Sequence, residues 1–209
     1  MIPLESSEAE TSYHKRILFV CLFNLQRSVI AEGMFRKLLA ADGSSDADGI
    51  DVTSAGFIGP GVKAWFRDMR LDIPEPIFGR EMPGATRNSL LARGLDVSAY
   101  RSRTADGDLL ASSDLVICML PEIRRDMIDV YPEVEPRAFI LQDFLDDDTQ
   151  FYWEKTDTFP HDNTYYEFVH NDQVYVDVVI GQLEESLGRA YPQILARLRG
   201  RETTGGPSQ

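Results

Sequence analysis

The stretch Ile17–Leu39, "ILFVCLFNLQRSVIAEGMFRKLL", decides the fold. It opens as a continuous apolar, β-rich run that stops at Cys21. An unbroken run of this kind reads as a strand covered on both faces, the habit of parallel sheets. Six residues beyond the cysteine, Arg27 opens a second pattern. Ile30, Met34 and Leu38, with Phe35 and Leu39, recur at helical spacing. The stretch therefore reads strand, short loop, helix. A thiol ends the strand and a guanidinium starts the helix.

The rest of the chain extends this pattern. "GIDVTSAG" reads as a second strand running into a glycine turn, "SDLVICML" as a third and "RAFIL" as a fourth. Between them, "GATRNSLLARGLDVS" predicts a helix that stops near Gly94. "PEIRRDMIDVYP" predicts another, with proline near its start and past its end. The segment from Asn163 to Leu198 is largely helical in pattern, with a break or bend expected at Gly188 and Pro192. Alternating strands and helices imply an α/β fold: a three-layer α/β/α sandwich around a four-stranded parallel sheet. In such sheets ligands bind beyond the C-terminal ends of the strands, where Cys21 sits.

Composition bounds what the chain does. Its 209 residues, 43% of them hydrophobic, suit one domain over residues 14–199. Polar, poorly ordered ends are expected at 1–13 and 200–209. The formal charge of −13 opposes long-range attraction to nucleic acid or anionic lipid. No run approaches the ~20 apolar residues that span a bilayer, and the acidic start lacks the pattern of a signal peptide. Two cysteines, Cys21 and Cys118, form no framework, which points to a reducing cytoplasm. His14, His161 and His170 are scattered without metal-ligand spacing, and no metal or cofactor is implied.

The five residues between Cys21 and Arg27 suffice for a loop around a tetrahedral anion. Loop amides and the positive end of the helix would face it. Arg27 adds a planar fork that takes two phosphate oxygens. Cysteines in such fields ionise at ~3.5–7.5 rather than ~8.5 and become nucleophiles at neutral pH. Asn24 and Ser28 carry side chains suited to fixing the loop, and Ser28 could donate to the sulfur when it leaves. The competing account is simple packing, because cysteine is among the most buried residue types. For Cys118, inside an apolar strand, packing is the better account.

The sequence from roughly Lys15 to Leu187 resembles the low-molecular-weight protein tyrosine phosphatase superfamily, which also contains thioredoxin-coupled arsenate reductases. The likeness rests on "FVCLFNLQRSVIAEGMFRKL" with its C-x5-R-S loop, on "TSAG" at Thr53–Gly56, and on "GLDVSAYRSR" leading to "LLASSDLVICM". It implies Cys21 as nucleophile and Arg27 as phosphate ligand, with Leu22, Phe23, Asn24, Leu25, Gln26 and Ser28 lining the substrate. It also implies Ser54 holding Asn24. The family needs a general acid, usually in an Asp-Pro pair, which this chain lacks. Asp157 in "DTFPHDNTYYEFV" is the nearest match, with Asp162 in reserve, and Phe159 would stack on an aryl substrate.

Three departures stand in the loop. Phe23 replaces the phosphatases' usual glycine, Gln26 their second cysteine, and Val29 their proline. Insertions near 62–84 and 143–156 carry Trp65, Phe66, Phe78, Phe151, Tyr152 and Trp153, which either border the site, pack locally or mediate homodimer contacts. The expected activity is hydrolysis of phosphotyrosine in a protein, or of a small aryl phosphate, through a phosphocysteine. The alternatives are a phosphate- or phosphopeptide-binding module without turnover, and an arsenate reductase. The last lacks resolving cysteines.

Overall fold

A computed structural model describes residues 14–45, 47–73, 75–146, 149, 151 and 171–200. Four parallel strands form one sheet in the order β2-β1-β3-β4: β1 Lys15–Cys21, β2 Ile50–Gly56, β3 Leu115–Cys118 and β4 Ala138–Ile140. Six α-helices accompany them among the described residues. These are α1 Arg27–Asp42, α2 Pro60–Asp68, α3 Gly84–Leu91, α4 Gly107–Ala111, α5 Pro121–Val130 and α6 Gln173–Leu198. The α/β class and the four-stranded parallel sheet follow the expectation.

The central strand shows why its sequence is apolar from Ile17 onward. Ile17, Phe19 and Cys21 face a cluster built from α1, α3 and α6, including Ile30, Phe35, Leu90, Val179 and Leu183. Leu18 and Val20 face the opposite cluster, with Val62 and Phe66 of α2, Leu110 of α4, and Ile123 and Met127 of α5. Each such side chain contributes ~1.5–3 kcal/mol on burial, so no position from Ile17 to Val20 tolerates a polar group, whereas Lys15 and Arg16 at the strand's start are half-buried and pair with Asp114 and Asp51. The chain moves from β1 to β2 on one side and to β3 on the other. Cys21 therefore ends the strand at which the sheet order reverses, where α/β folds open a crevice.

Helix ends largely follow their local signals. Helix α3 stops at Leu91, and Gly94 turns the chain at φ 75°, a conformation glycine enters without a Cβ penalty. Of the break or bend expected at Gly188 and Pro192, the break does not occur: helix α6 runs through both. Proline in a helix interior costs about 3 kcal/mol. Leu187, Ala190, Ile194, Leu195 and Leu198 are buried on both sides of it, and their packing outweighs that cost.

Candidate active site

Cys21 ends β1, Leu22–Gln26 form the loop, and Arg27 is the first residue of α1. Cys21 is 3% exposed, and its sulfur lies 3.0 Å from the Ser28 hydroxyl. Asn24 is the pivot of the loop. Its backbone is left-handed (φ 56°), which asparagine tolerates better than most residues. Its buried amide donates to Ser28 Oγ and to Ser54 Oγ, both at 3.0 Å, and its Oδ1 accepts from the Arg103 amide at 3.0 Å. The last contact fixes which end of the amide carries the nitrogen.

The donor accounting has a chemical consequence. Ser54 Oγ donates its single hydrogen to Glu32 Oε2 at 2.7 Å. It therefore meets Asn24 with a lone pair. Ser28 likewise accepts from Asn24, so its hydrogen is free for the Cys21 sulfur. The network running Glu32–Ser54–Asn24–Ser28 thus ends in a donor aimed at sulfur.

A second set of residues pins the same loop from the segment before α4. Tyr100 donates its hydroxyl to the Asn24 carbonyl at 2.6 Å. Burial, and then negative charge at Cys21, push the Tyr100 pKa far above its ordinary value, so the phenol keeps its proton. Arg103 donates Nε to the Ser54 carbonyl at 2.9 Å, and a terminal nitrogen to the Thr53 hydroxyl. Neither residue carries a sequence signal for this role. Glu32 appears in the sequence only as part of a recognisable helix.

Gly56 pairs with Cys21 across the strands. A Cβ there would lie 2.5 Å from the Leu22 carbonyl, 2.6 Å from Phe78 and 3.0 Å from the Asn24 amide. The loop can fold against β2 only because that residue is glycine. The Phe57 amide then donates to the Cys21 carbonyl at 2.9 Å.

The side chains of Leu22, Phe23 and Leu25 pack into the core beside α2. Among the described residues, no main-chain carbonyl receives the amides of Leu22, Asn24, Leu25 or Arg27. Arg27 is half-buried and enters none of the ion pairs found there. Gln26 is buried at the loop's end. Asp157, Asp162 and Phe159, with Tyr152 and Trp153, lie outside the described residues. Of the other insertion aromatics, Phe151 is a core residue, Phe78 edges Gly56, and Phe66 meets Phe23 edge-on with ring centroids 6.0 Å apart. Cys118 is fully buried, and burial pushes its thiol up to about 12. Among the described residues, no cluster of His, Cys, Asp or Glu converges as a metal site. No helix there is long and apolar enough to cross a membrane.

The model of the family described as "Low molecular weight phosphotyrosine protein phosphatase" matches residues 16–190. The chain belongs to this family. Solved structures of similar fold include YfkJ from Bacillus subtilis, 20% identical, with a TM-score of 0.62 over 88% of this chain and 96% of that one. The low molecular weight protein tyrosine phosphatase from T. tengcongensis is 22% identical, with a TM-score of 0.59 over 86% and 99%. The YwlE arginine phosphatase from Geobacillus stearothermophilus is 19% identical, with a TM-score of 0.59 over 91% and 99%. At these identities the likeness is one of fold. No curated protein matches the chain significantly. Tyrosine and arginine phosphatases are both among the structural neighbours of this family member, so fold alone does not choose the substrate.

Proposed function

We propose that the chain is a cysteine-dependent phosphatase acting on phosphotyrosine or another aryl phosphate monoester. The observation that carries this reading is the hydrogen-bonded loop between Cys21 and Arg27, with the Ser28 hydroxyl on the sulfur. In the first step the Cys21 thiolate attacks phosphorus and the bond to the aryl oxygen breaks. Asp157 gives its proton to the departing phenolate. Arg27 and the loop amides hold the three equatorial oxygens, whose charge must be stabilised as the bonds exchange. In the second step water attacks phosphorus and Asp157 takes its proton. The P–S bond breaks, and Ser28 donates to the sulfur that leaves. Hydrolysis regenerates the enzyme without a resolving thiol, which separates this reading from arsenate reduction.

Para-nitrophenyl phosphate turnover by the wild type and its loss in Cys21→Ser test the assignment. Retained turnover in that variant would overturn it. Binding of phosphate with no turnover of any monoester would favour a regulatory module instead. Asp157→Asn should slow an alkyl phosphate far more than the activated aryl ester, whose leaving group needs little protonation. Equal slowing would remove Asp157 from the acid's role and direct attention to Asp162. A phosphotyrosine peptide should exceed a phosphoarginine peptide in kcat/KM, and the reverse order would reassign the substrate.

A further inference from the structure

Helix α2 begins three residues beyond Phe57, whose amide holds the Cys21 carbonyl. No side chain of α2 caps its own N-terminus. The capping group comes instead from α5. Asp126 is 5% exposed, and its two oxygens accept from the Gly61 amide at 2.7 Å and the Val62 amide at 2.8 Å. The approach is close enough to dictate sequence. A Cβ at Gly59 or Gly61 would sit 2.5 or 2.7 Å from the Asp126 carboxylate. Gly59-Pro60-Gly61 and Asp126 thus form one joint that fixes where α2 starts and how it is turned.

That orientation places aromatic rings in series beside the phosphate loop. Phe66 of α2 meets Phe23 of the loop at 80°, and Trp65 meets Phe66 at 89° with centroids 5.0 Å apart. Phe23 and Phe66 are buried, whereas Trp65 is 39% exposed. A large indole held in place by its neighbour and open to solvent, one ring beyond the loop, has the properties of a binding platform.

We infer that Asp126 is a positioning residue for substrate selection: by anchoring the start of α2 it seats Phe66 on Phe23 and presents Trp65 to the aryl group of a substrate whose phosphate occupies the Cys21–Arg27 loop. The inference rests on the proposed function for the phosphate position, and it assigns the aryl contact to this chain's α2. Asp126 touches no substrate. Its carboxylate acts through two main-chain amides. Asparagine keeps the shape but offers one oxygen acceptor and sets its NH2 against an N–H, so the joint loses a bond and gains a repulsion.

The test compares phenylphosphonate with methylphosphonate binding to Cys21→Ser protein by calorimetry. The two probes share an anionic head and differ in the ring, and neither needs turnover. Phenylphosphonate should bind about fivefold tighter, the range of one aromatic contact. Trp65→Ala, at an exposed position, and Asp126→Asn should each bring the ratio close to one, with methylphosphonate affinity changed less than about twofold. Trp65→Phe should restore most of the preference in the first case. An unchanged ratio in Trp65→Ala overturns the inference even if Asp126→Asn does not fold. So does an equal loss of both probes in folded Asp126→Asn. Failure of both probes to bind the Cys21→Ser protein overturns the phosphate site itself and the platform with it, whereas binding of methylphosphonate alone overturns only the inference.

Discussion

Replacing Asn24 by alanine should cost the protein about 4 kcal/mol of stability and most of its turnover. The side chain is 0% exposed and makes three hydrogen bonds, to Ser28, Ser54 and the Arg103 amide. Alanine removes all three, at ~1 kcal/mol each net, and leaves the Arg103 amide without its acceptor. It must also adopt φ 56°, which costs ~1–2 kcal/mol for a residue with a Cβ and no side-chain hydrogen bond. The hydroxyls suffer less, since Ser54 keeps Glu32 and Ser28 keeps Cys21. For a chain of 209 residues a loss of this size lowers the thermal midpoint by roughly 8–16 °C. Urea unfolding gives the free energy, and para-nitrophenyl phosphate turnover of the folded fraction gives the rate. Asn24→Asp separates the two effects. It keeps the shape but can donate to neither hydroxyl and brings a negative charge towards the sulfur, so activity should fall further than stability. A free-energy loss under about 1 kcal/mol with unaltered kinetics in Asn24→Ala would refute the pivot.

Further outcomes follow from the same geometry. Tyr100→Phe deletes the 2.6 Å bond to the Asn24 carbonyl, and turnover should drop about fivefold while the midpoint moves by ~2–4 °C; an unchanged rate would show that the loop needs no pin there. Gly56→Ala forces a Cβ against the Leu22 carbonyl, and should cost ~2–3 kcal/mol and weaken phosphate binding together, as calorimetry would show. Cys118 supplies an alkaline signature. Its thiol titrates from an ordinary 9.0 to about 12 in the fold, so above pH 9 the unfolded chain releases a proton that the folded chain keeps. Its contribution to stability is whole below 9.0 and falls by about 1.4 kcal/mol per pH unit as pH rises towards 12. Cys118→Ala should flatten the decline in unfolding free energy on the alkaline side, and identical slopes would contradict the burial argument.

The central strand, the loop and the first helix were legible because their signals are local. An apolar run without alternation announces burial on both faces, and C-x5-R-S falls where strand gives way to helix. Ser54 was reachable through the family resemblance. Tyr100 and Arg103 were not, because they meet Asn24 across 76 and 79 residues and nothing in their spacing names the partner. Asp126 reads in sequence as one more surface charge of an acidic helix, yet its partners are amides 64 and 65 residues earlier. Pro192 misled for a related reason: the packing that holds α6 through it comes from the tertiary fold.

Rapid acid quench during para-nitrophenyl phosphate turnover, followed by peptide mapping, asks directly where the phosphoryl group rests between the two steps. It should be found on the sulfur of Cys21. Steady turnover with the group on Ser28, or with no phosphorylated peptide at any quench time, would contradict the account.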